Sequence, residues 1–289
     1  MLNKGIRENY KILITGANGM VGSAIVRELN KNYKNNSLNL KLLTPSRSEL
    51  DLTCRQSVFD WFKLNKPNIV INSAAKVGGI LANNKYPYEF LINNLKIQNN
   101  VIEASFENKV KRFLFLGSSC IYPKLSEQPI KEDNLLKSSL EPTNEAYAIA
   151  KIAGLKLCQS LYKEYGFDAI SLMPTNLYGK GDNYDLENSH VLPALIRKFY
   201  EAKNNSEPYV RCWGTGKPFR EFLFVDDLAE ASIFLLNNWH PLKINKKSTL
   251  KKQSLNWINV GSDFEISIKD LAELIAKKIN FKGEIKWES

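Results

Sequence analysis

A tyrosine and a lysine four positions apart, Tyr147 and Lys151, carry the clearest proton-transfer chemistry in this sequence. The chain has 12 tyrosines, and only Tyr147 is followed four residues later by a lysine. Both lie in the predicted helix Glu145–Tyr165, so their side chains project from one face. A nearby ammonium favours the phenolate, which predicts a lowered pKa for Tyr147. Such a tyrosine can give a proton to a carbonyl oxygen while a nicotinamide supplies hydride to the carbon.

Ser118 offers a second polar group to the same oxygen. It follows Gly117 at the end of the predicted strand Arg112–Gly117, and the helix that carries Tyr147 precedes another predicted strand, Asp168–Pro174. Ligands of open parallel sheets bind outside the carboxyl ends of the strands. We therefore predict that Ser118 joins Tyr147 and Lys151 at this edge, the alternative being a turn or helix-cap serine.

Three glycines join the first predicted strand, Lys11–Thr15, to the first predicted helix, Met20–Leu29. The segment reads Gly16-Ala17-Asn18-Gly19-Met20-Val21-Gly22. Glycines let the turn close and the backbone approach a pyrophosphate, whose charge is attracted by the N–H groups of the helix N-terminus. The spacing differs from the G-x-G-x-x-G fingerprint, but its place in the first βα unit predicts a dinucleotide site.

The residues after the second predicted strand, Leu40–Thr44, favour NADP over NAD. An acidic residue here would bind the ribose 2′-hydroxyl of NAD, whereas an arginine can bind the 2′-phosphate of NADP. The segment has no acidic residue before Glu49 and contains Arg47. The alternative for Arg47 is a solvated loop residue.

The order of the predicted elements indicates a Rossmann-type α/β fold. Strand-like and helix-like segments alternate up to Pro174, with further strands at Asn68–Ser73 and helices at Gln56–Leu64 and Tyr88–Phe106, which is typical of a doubly wound parallel sheet. Later segments are more irregular, with short strands at Tyr209–Trp213 and Glu221–Val225 and helices at Val191–Lys203 and Asp227–Leu236. We therefore predict an NADP-binding domain at 1–175 and a smaller, partly interleaved substrate-binding α/β domain at 176–289. The polar stretch Lys243–Gln253 is predicted to be an exposed loop.

With these motifs the chain resembles the extended short-chain dehydrogenase/reductases and, within them, the GDP-L-fucose synthases. The matching segments span nearly the whole chain and are Gly19–Ile25, Ala74–Ile80, Gly117–Lys124, Glu141–Gly154, Met173–Gly179, Asn188–Leu195 and Arg220–Asp227. The resemblance implies NADPH-dependent inversion of GDP-4-keto-6-deoxy-D-mannose at C3 and C5, followed by reduction at C4. It also implies a homodimer in which the helices Tyr88–Phe106 and Glu145–Tyr165 pair across a two-fold axis.

The resemblance assigns roles to further residues. Cys120 and His190 would transfer protons during the inversion, although by themselves they look like a core thiol and a loop or helix-start residue. The substrate would be bound by Lys198, Trp213 and Arg220, the last through its bidentate fork on the diphosphate. Besides the glycine turn and Arg47, the implied cofactor contacts are Asp51, Leu52, Ala75, Leu116, Gly117, Ser118, Ser119, Lys151, Pro174, Thr175, Asn176, Leu177 and His190. No metal site is expected.

Three departures from the family pattern predict weaker ligand contacts. Lys198 stands where an arginine is usual, which keeps the charge but loses the fork. Asn18 replaces a basic residue of the glycine turn. The family also continues past the predicted helix Ile268–Lys278 into a basic loop and a final helix, whereas this sequence ends at Ser289.

Composition narrows the remaining classes of function. The net charge of +10 is scattered along the chain, which disfavours a nucleic-acid binder but suits a phosphorylated substrate. The four cysteines lack metal or redox spacing and are expected to be reduced thiols. No apolar run reaches the ~20 residues of a membrane span, and the polar start Met1–Tyr10 is unlike a signal peptide, so we expect a cytoplasmic protein without membrane partners. His240 is expected to be a surface residue.

Other functions remain open at this stage. A reductase or epimerase-reductase for another GDP-linked keto sugar, such as a 6-deoxy-heptose, would carry the same motifs. A catalytically impaired NADP-binding module and a basic nucleic-acid binder are alternatives from other classes. A 4,6-dehydratase is disfavoured, because such enzymes carry Asp-Glu after the active-site hydroxyl residue and here Ser119-Cys120 follows Ser118.

Overall fold

The computed structural model describes residues 5–33, 39–241 and 255–288, which contain eleven strands and eight α-helices. The strands are β1 (Lys11–Thr15), β2 (Lys41–Leu43), β3 (Ile69–Asn72), β4 (Arg112–Leu116), β5 (Ala169–Pro174), β6 (Asn176–Tyr178), β7 (Tyr209–Trp213), β8 (Phe219–Phe224), β9 (Trp257–Val260), β10 (Glu265–Ser267) and β11 (Glu284–Glu288). The helices are α1 (Met20–Tyr33), α2 (Arg55–Asn65), α3 (Ile80–Lys85), α4 (Pro87–Glu107), α5 (Glu145–Tyr165), α6 (Val191–Asn204), α7 (Val225–Asn238) and α8 (Ile268–Ile279).

Six strands form one parallel sheet in the order β2-β1-β3-β4-β5-β9. Because successive side chains of a strand point to opposite faces, Leu13 and Ile14 enter two different apolar cores. Helices α2, α4 and α5 cover the Leu13 face, and α1 and α7 cover the other. The predicted doubly wound, Rossmann-type sheet is confirmed.

Two elements from the second half of the chain pack into this same unit. Strand β9 extends the sheet beside β5, and α7 lies against α1, with Ala229 and Ile233 buried in the second core. The division drawn after residue 175 stays a prediction. It does not separate the packing layers, because the chain returns to the large sheet twice.

The remaining elements form a smaller layered unit. Strands β10, β8 and β6 make one sheet, and β11 pairs with β7 in another. A third apolar core, which includes Phe199 and Leu271, lies between α6, α8 and the β7–β11 pair. Ser267 caps α8 by accepting a hydrogen bond from the Asp270 N–H at 3.0 Å, which satisfies one donor of the first turn.

Several element bounds differ from those predicted. Val225 begins α7 instead of ending a strand, and α1 runs four residues beyond Leu29, to Tyr33. Helix α3 and the short strands β6, β9, β10 and β11 were not predicted. The Lys243–Gln253 loop lies outside the described residues. Among the described helices, none is long and apolar enough to cross a membrane.

His240 lies at the surface, as predicted, and contacts a buried arginine. Arg112 is fully buried in β4, 3.3 Å from the Asp168 carboxylate, and it also donates to the Trp239 carbonyl. Its Nη1 lies 2.7 Å from His240 Nδ1. Because a guanidinium has donors only, His240 accepts through this nitrogen. His240 is exposed, yet it helps to satisfy a buried charge.

Candidate active site

The glycine turn has the geometry of a dinucleotide cradle. Gly16 has a φ of 68°, in the left-handed region, and the Gly19 N–H donates to its carbonyl at 2.9 Å. A Cβ atom on Gly22 would overlap the Gly16 carbonyl oxygen. The turn therefore needs both glycines in order to close just ahead of the N-terminus of α1, where backbone N–H groups attract a pyrophosphate.

Hydrogen bonds join the carboxyl ends of β1 and β3 beside this turn. Thr15 Oγ1 donates to Asn72 Oδ1 at 2.7 Å and accepts from the Ala74 N–H at 3.2 Å. A Cβ on Gly16 would lie 2.9 Å from Ala74 Cα, so the two loops are in close contact. Ala75 is the next residue along this segment, and the structure thus places it beside the glycine turn.

The segment after β2 leaves Arg47 exposed and engages the nearby acids locally. Glu49 accepts from the Ser46 N–H at 2.7 Å, and these bonds to Ser46 lower its pKa. Asp51 accepts from Thr53, which lowers the pKa of Asp51, with a smaller contribution from the charge of Arg47. The backbone carbonyl of Leu52 accepts from Asn100 Nδ2 at 2.9 Å. Arg47 is therefore the available charge for a ribose phosphate at this edge.

Helix α5 is held tightly against the sheet where it carries Tyr147 and Lys151. A Cβ on Gly154 would lie 2.6 Å from the Phe115 ring, so this glycine permits the close approach of helix and strand. Gln98 of α4 donates to the Ala150 carbonyl at 2.6 Å. Lys151 is 5% exposed, donates to the Leu116 carbonyl at 2.9 Å, and lies 5.7 Å from the centroid of the Tyr147 ring.

Burial dominates the ionisation of this pair. It lowers the pKa of Lys151 to about 8, opposed by the charge of Cys120. It raises the pKa of Tyr147, and Cys120 adds to that rise. The expected lowering of the tyrosine pKa is therefore wrong for this structure, because burial and the charge of Cys120 both raise it. Tyr147 is accordingly a neutral phenol, which is the form that can donate a proton.

Ser118 and Cys120 lie on a short turn directly after β4. Ser118 Oγ accepts from the Cys120 N–H at 3.3 Å, and both residues are half-buried. Burial raises the pKa of Cys120 to about 11, while Ser118 and Lys151 lower it in part. The four groups Ser118, Cys120, Tyr147 and Lys151 therefore form one electrostatically coupled cluster. Gly117 and Ser119 flank Ser118 in the same turn.

The residues after β5 connect the large sheet to the small unit. Pro174 is buried, and the Thr175 N–H donates to the Val260 carbonyl at 3.2 Å. Thr175 Oγ1 and Asn176 Nδ2 both donate to the Glu221 carbonyl, at 3.0 and 2.9 Å. Leu177 then pairs with Leu223 in the second sheet. At the site, the chain thereby continues from the large sheet into the small unit.

His190 lies on a separate loop and begins α6. The residue is exposed, yet surrounding protein atoms lower the pKa of its imidazole through desolvation, opposed by the negative charge of Asp182. The loop before it is ordered by its own polar residues, since Asp185 accepts from Asn188 and, through its carbonyl, from the Ser189 N–H. His190 is therefore neutral near pH 7, with a carboxylate nearby.

The three expected substrate contacts are on the small unit. Lys198 Nζ lies 4.4 Å from the centroid of the Trp213 ring and donates to the Arg211 carbonyl at 3.1 Å. Arg220 is exposed on β8 and donates to the Phe219 carbonyl at 2.7 Å. The structure brings Lys198 and Trp213 into contact, and leaves most of the Arg220 fork open for an anion.

Known proteins are similar to this chain in sequence and fold. The model of the NAD dependent epimerase/dehydratase family matches residues 12–245. The chain belongs to this family. It is 52% identical over 281 residues to GDP-L-fucose synthase 1 of Arabidopsis thaliana, covering 97% of this chain and 81% of that protein.

Two solved structures are also similar to this chain. A GDP-6-OMe-4-keto-L-xylo-heptose reductase from C. jejuni is 34% identical, with a TM-score of 0.90 over 99% of this chain and 88% of that one. A GDP-L-fucose synthetase from Naegleria fowleri bound to NADP is 27% identical, with a TM-score of 0.83 over 98% and 83%. The family and fold inferred from the sequence are confirmed.

The sequence did not predict the residues that hold the candidate site in place. Asn259 of β9 accepts from the Tyr122 hydroxyl, donates to the Ile130 carbonyl at 3.0 Å, and donates through its N–H to Glu132 at 2.9 Å. It thus clamps the segment that follows Cys120. No local pattern signals this contact, since its partners are 127 to 137 residues away along the chain.

Proposed function

We propose that this protein converts GDP-4-keto-6-deoxy-D-mannose to GDP-L-fucose by 3,5-epimerisation and NADPH-dependent 4-reduction. The observation that carries the proposal is the coupled cluster of Ser118, Cys120, Tyr147 and Lys151 at the carboxyl end of β4. It combines a hydroxyl pair for a carbonyl oxygen with a separate titrating thiol. Support also comes from relatives named as GDP-L-fucose synthases, one of them 52% identical.

The residues fit NADP as the cofactor, which would supply hydride when bound. The cradle at Gly16 and Gly22, which a Cβ would fill, suits a pyrophosphate against the start of α1. Arg47 suits the 2′-phosphate, because Glu49 is already bonded to Ser46. The solved synthetase that carries NADP has the same fold as this chain. Pro174, Thr175 and Leu177 would border the nicotinamide.

The reduction requires a proton at the C4 oxygen. Ser118 and Tyr147 hold that oxygen by hydrogen bonds, and Tyr147 releases its proton as hydride reaches the carbon. Lys151 stabilises the phenolate that remains, which compensates for the burial that otherwise keeps Tyr147 neutral. Its own pKa of about 8 leaves it mostly charged near pH 7.

The inversion uses the same oxygen-binding groups. The protons at C3 and C5 lie α to the C4 carbonyl, so their removal places negative charge on the oxygen that Ser118 and Tyr147 hold. Cys120 and His190 then act as the acid and base on either side of the ring. Burial keeps Cys120 protonated in the resting protein, whereas the ammonium of Lys151 favours its thiolate. His190 is neutral and can accept a proton.

The small unit would bind the nucleotide part. Arg220 offers a bidentate fork to the diphosphate, and Lys198 adds positive charge beside the aromatic face of Trp213. A GDP-linked sugar is therefore the substrate class that we propose. These three contacts are roles inferred from the resemblance and from the open position of the side chains.

One observation favours a second candidate. The heptose reductase from C. jejuni superposes with a TM-score of 0.90, so a related GDP-keto-heptose is the alternative substrate. The test is NADPH oxidation by the purified chain with a panel of GDP-linked keto sugars, with product stereochemistry read by NMR. We expect turnover of GDP-4-keto-6-deoxy-D-mannose with inversion at C3 and C5. Faster turnover of a heptose substrate would replace the proposal, and no turnover with any sugar would favour an inert NADP-binding module.

We also propose a cytoplasmic homodimer. Helices α4 and α5 pack side by side and expose apolar residues, including Tyr88 at 75% and Tyr165 at 61%, which suits an isologous four-helix contact. The cysteines in the described residues are free thiols, as in a reducing compartment. Light scattering at micromolar concentration should give twice the chain mass, and cell fractionation should place the protein in the soluble cytoplasmic fraction. A monomer mass or a secreted protein would contradict these proposals.

A further inference from the structure

Two glycines after β3 lie directly against the backbone that precedes His190. A Cβ atom on Gly79 would overlap the Ser189 carbonyl oxygen and lie 3.8 Å from the His190 nitrogen. The Gly79 N–H also donates to the Asn188 carbonyl at 3.0 Å. Gly79 has an ordinary φ of −67°. It is therefore the approach of a second backbone, and not a special conformation, that excludes a side chain here.

The segment that carries Gly79 is anchored on its own side. Asn83 Nδ2 donates to the carbonyls of Gly78 and Gly79 at 2.7 and 3.0 Å. Asn94 of α4 exchanges two hydrogen bonds with the backbone of Lys76, at 2.8 and 2.9 Å. Because the β3–α3 segment is held at both ends, a clash at Gly79 has to be relieved mainly by the loop that contains Ser189.

That loop transmits a displacement to His190. The Ser189 N–H donates to the Asp185 carbonyl at 2.8 Å, and the His190 carbonyl accepts from Ala194 in the first turn of α6 at 3.1 Å. His190 thus lies between this hydrogen-bonded turn and the start of α6. A shift of Ser189 moves the imidazole with it.

The same segment also contacts the reduction side of the site. A Cβ on Gly78 would lie 3.0 Å from the Phe90 ring, and that ring packs edge-on against Tyr147 with centroids 6.4 Å apart. A continuous line of contacts therefore runs from Tyr147 through Phe90 to the two glycines and on to His190. We propose that Gly79 is a positioning residue that sets the place of His190 relative to Tyr147.

The size of the expected effect on rate follows from the overlap between the added Cβ and the Ser189 carbonyl oxygen. Restoring ordinary van der Waals separation at a Gly79→Ala Cβ requires a shift on the order of 1 Å, and misplacement by that distance can cost about 10²-fold in rate. The group displaced is His190, so proton transfer at the sugar should suffer more than hydride transfer. This activity difference rests on the proposed function, whereas the spectroscopic test below does not.

The first test reads His190 directly by NMR of the imidazole groups in the full chain. The chain has two histidines, so His240→Gln assigns both signals. In wild type, desolvation by the surrounding protein atoms holds the pKa of His190 below its ordinary value, and the negative charge of Asp182 opposes that shift. Gly79→Ala should move the His190 signal and bring its pKa closer to the ordinary 6.5, while the His240 signal stays in place.

Two further variants keep the test decisive. Gly78→Ala is the matched control. Its added Cβ would mainly contact side-chain atoms of Phe90 and Ala82, and it would lie 3.4 Å from the Asn188 carbonyl oxygen. It should leave the His190 signal in place. If Gly79→Ala lacks a cooperative thermal transition, Asn83→Ala replaces it. That variant frees the carbonyls of Gly78 and Gly79 and should shift the same His190 signal by a smaller amount.

The second test compares two rates with the keto sugar. In Gly79→Ala, exchange of the C3 and C5 protons with deuterated water should fall about 10²-fold, with the Michaelis constant for NADPH unchanged. Equal loss of exchange and ketone reduction would overturn the proposal, as would an unmoved His190 signal in folded Gly79→Ala. If wild type neither exchanges nor reduces the sugar, the proposed function fails, and the NMR result still decides the role of Gly79.

Discussion

Tyr147 and His190 belong to the same proposed site but are held in different ways. Tyr147 lies near the start of a 21-residue helix whose inner face is buried against α4 and β4. His190 is exposed at the end of a loop, and its neighbour Ser189 is placed by backbone contact with Gly79. Hydride chemistry is thus built on a regular element of the core, whereas part of the proton-transfer chemistry depends on the approach of two loops.

The contrast suggests that the two regions respond differently to mutation. A helix packed along its length resists local displacement, because many buried contacts would have to change together. A loop that is held by a few hydrogen bonds opens at lower free energy. We therefore expect that mutations on the buried face of α5 mainly slow reduction, and that mutations near the His190 loop change the ratio of exchange to reduction.

The largest expected effect is that of Tyr147→Phe. Removing the phenolic proton donor should slow ketone reduction by about 10² to 10⁴-fold, the range of a general acid. Some exchange at C3 and C5 should persist, because Ser118 still holds the enolate oxygen. NADPH oxidation and deuterium uptake, measured on the same sample, separate the two steps. Loss of both steps to the same extent would show that Tyr147 and His190 are not functionally separable.

Cys120→Ser should act mainly on the inversion. A serine hydroxyl is a far weaker acid than a thiol, so exchange of the C3 and C5 protons should fall by about 10²-fold, while reduction of an unepimerised ketone survives. The matched control is Cys54→Ser, at the exposed residue that precedes α2, which should exchange at the wild-type rate. Wild-type exchange in Cys120→Ser would leave Cys120 as a buried packing thiol.

The pH dependence of reduction should report Lys151. Its pKa is lowered to about 8, so the ammonium is present below that pH and lost above it. The value of kcat/KM for ketone reduction should therefore fall as pH rises through about 8, approaching tenfold per pH unit at high pH. Lys151→Arg, which keeps its charge, should move the fall to higher pH.

The control for this profile is on the same helix. Lys156 is exposed on α5, and Lys156→Arg should leave the pH profile of the wild type unchanged. A fall near pH 8 that persists in Lys151→Arg would assign it to another group and remove Lys151 from the explanation.

The smallest expected effect is that of Arg47→Ala on cofactor choice. Loss of a charge-assisted contact to the 2′-phosphate should raise the Michaelis constant for NADPH roughly tenfold, with that for NADH little changed. Arg55→Ala is the control, because Arg55 already pairs with Glu103 and stacks on Phe59. A wild-type preference for NADH would contradict the assignment of Arg47.

Much of this architecture could be predicted from local sequence. The short apolar runs in Lys11–Thr15 and Ala169–Pro174 indicate buried strands, and the glycines at 16 and 22 specify the first turn, because these features depend on residues a few positions apart. The Tyr147–Lys151 spacing likewise follows from helix geometry. The family resemblance added Cys120 and His190, whose roles no local pattern indicates.

Other features depended on the tertiary structure. The pKa of Lys151 is lowered because the packing of α5 against β4 removes water, and burial raises the pKa of Tyr147 where spacing alone predicts a lowered one. The Asn259 clamp and the contact of Gly79 with Ser189 join segments more than 100 residues apart. Sequence determined which groups are able to react. Packing decided where they lie and which protons they hold, because desolvation and close approach are properties of the assembled chain.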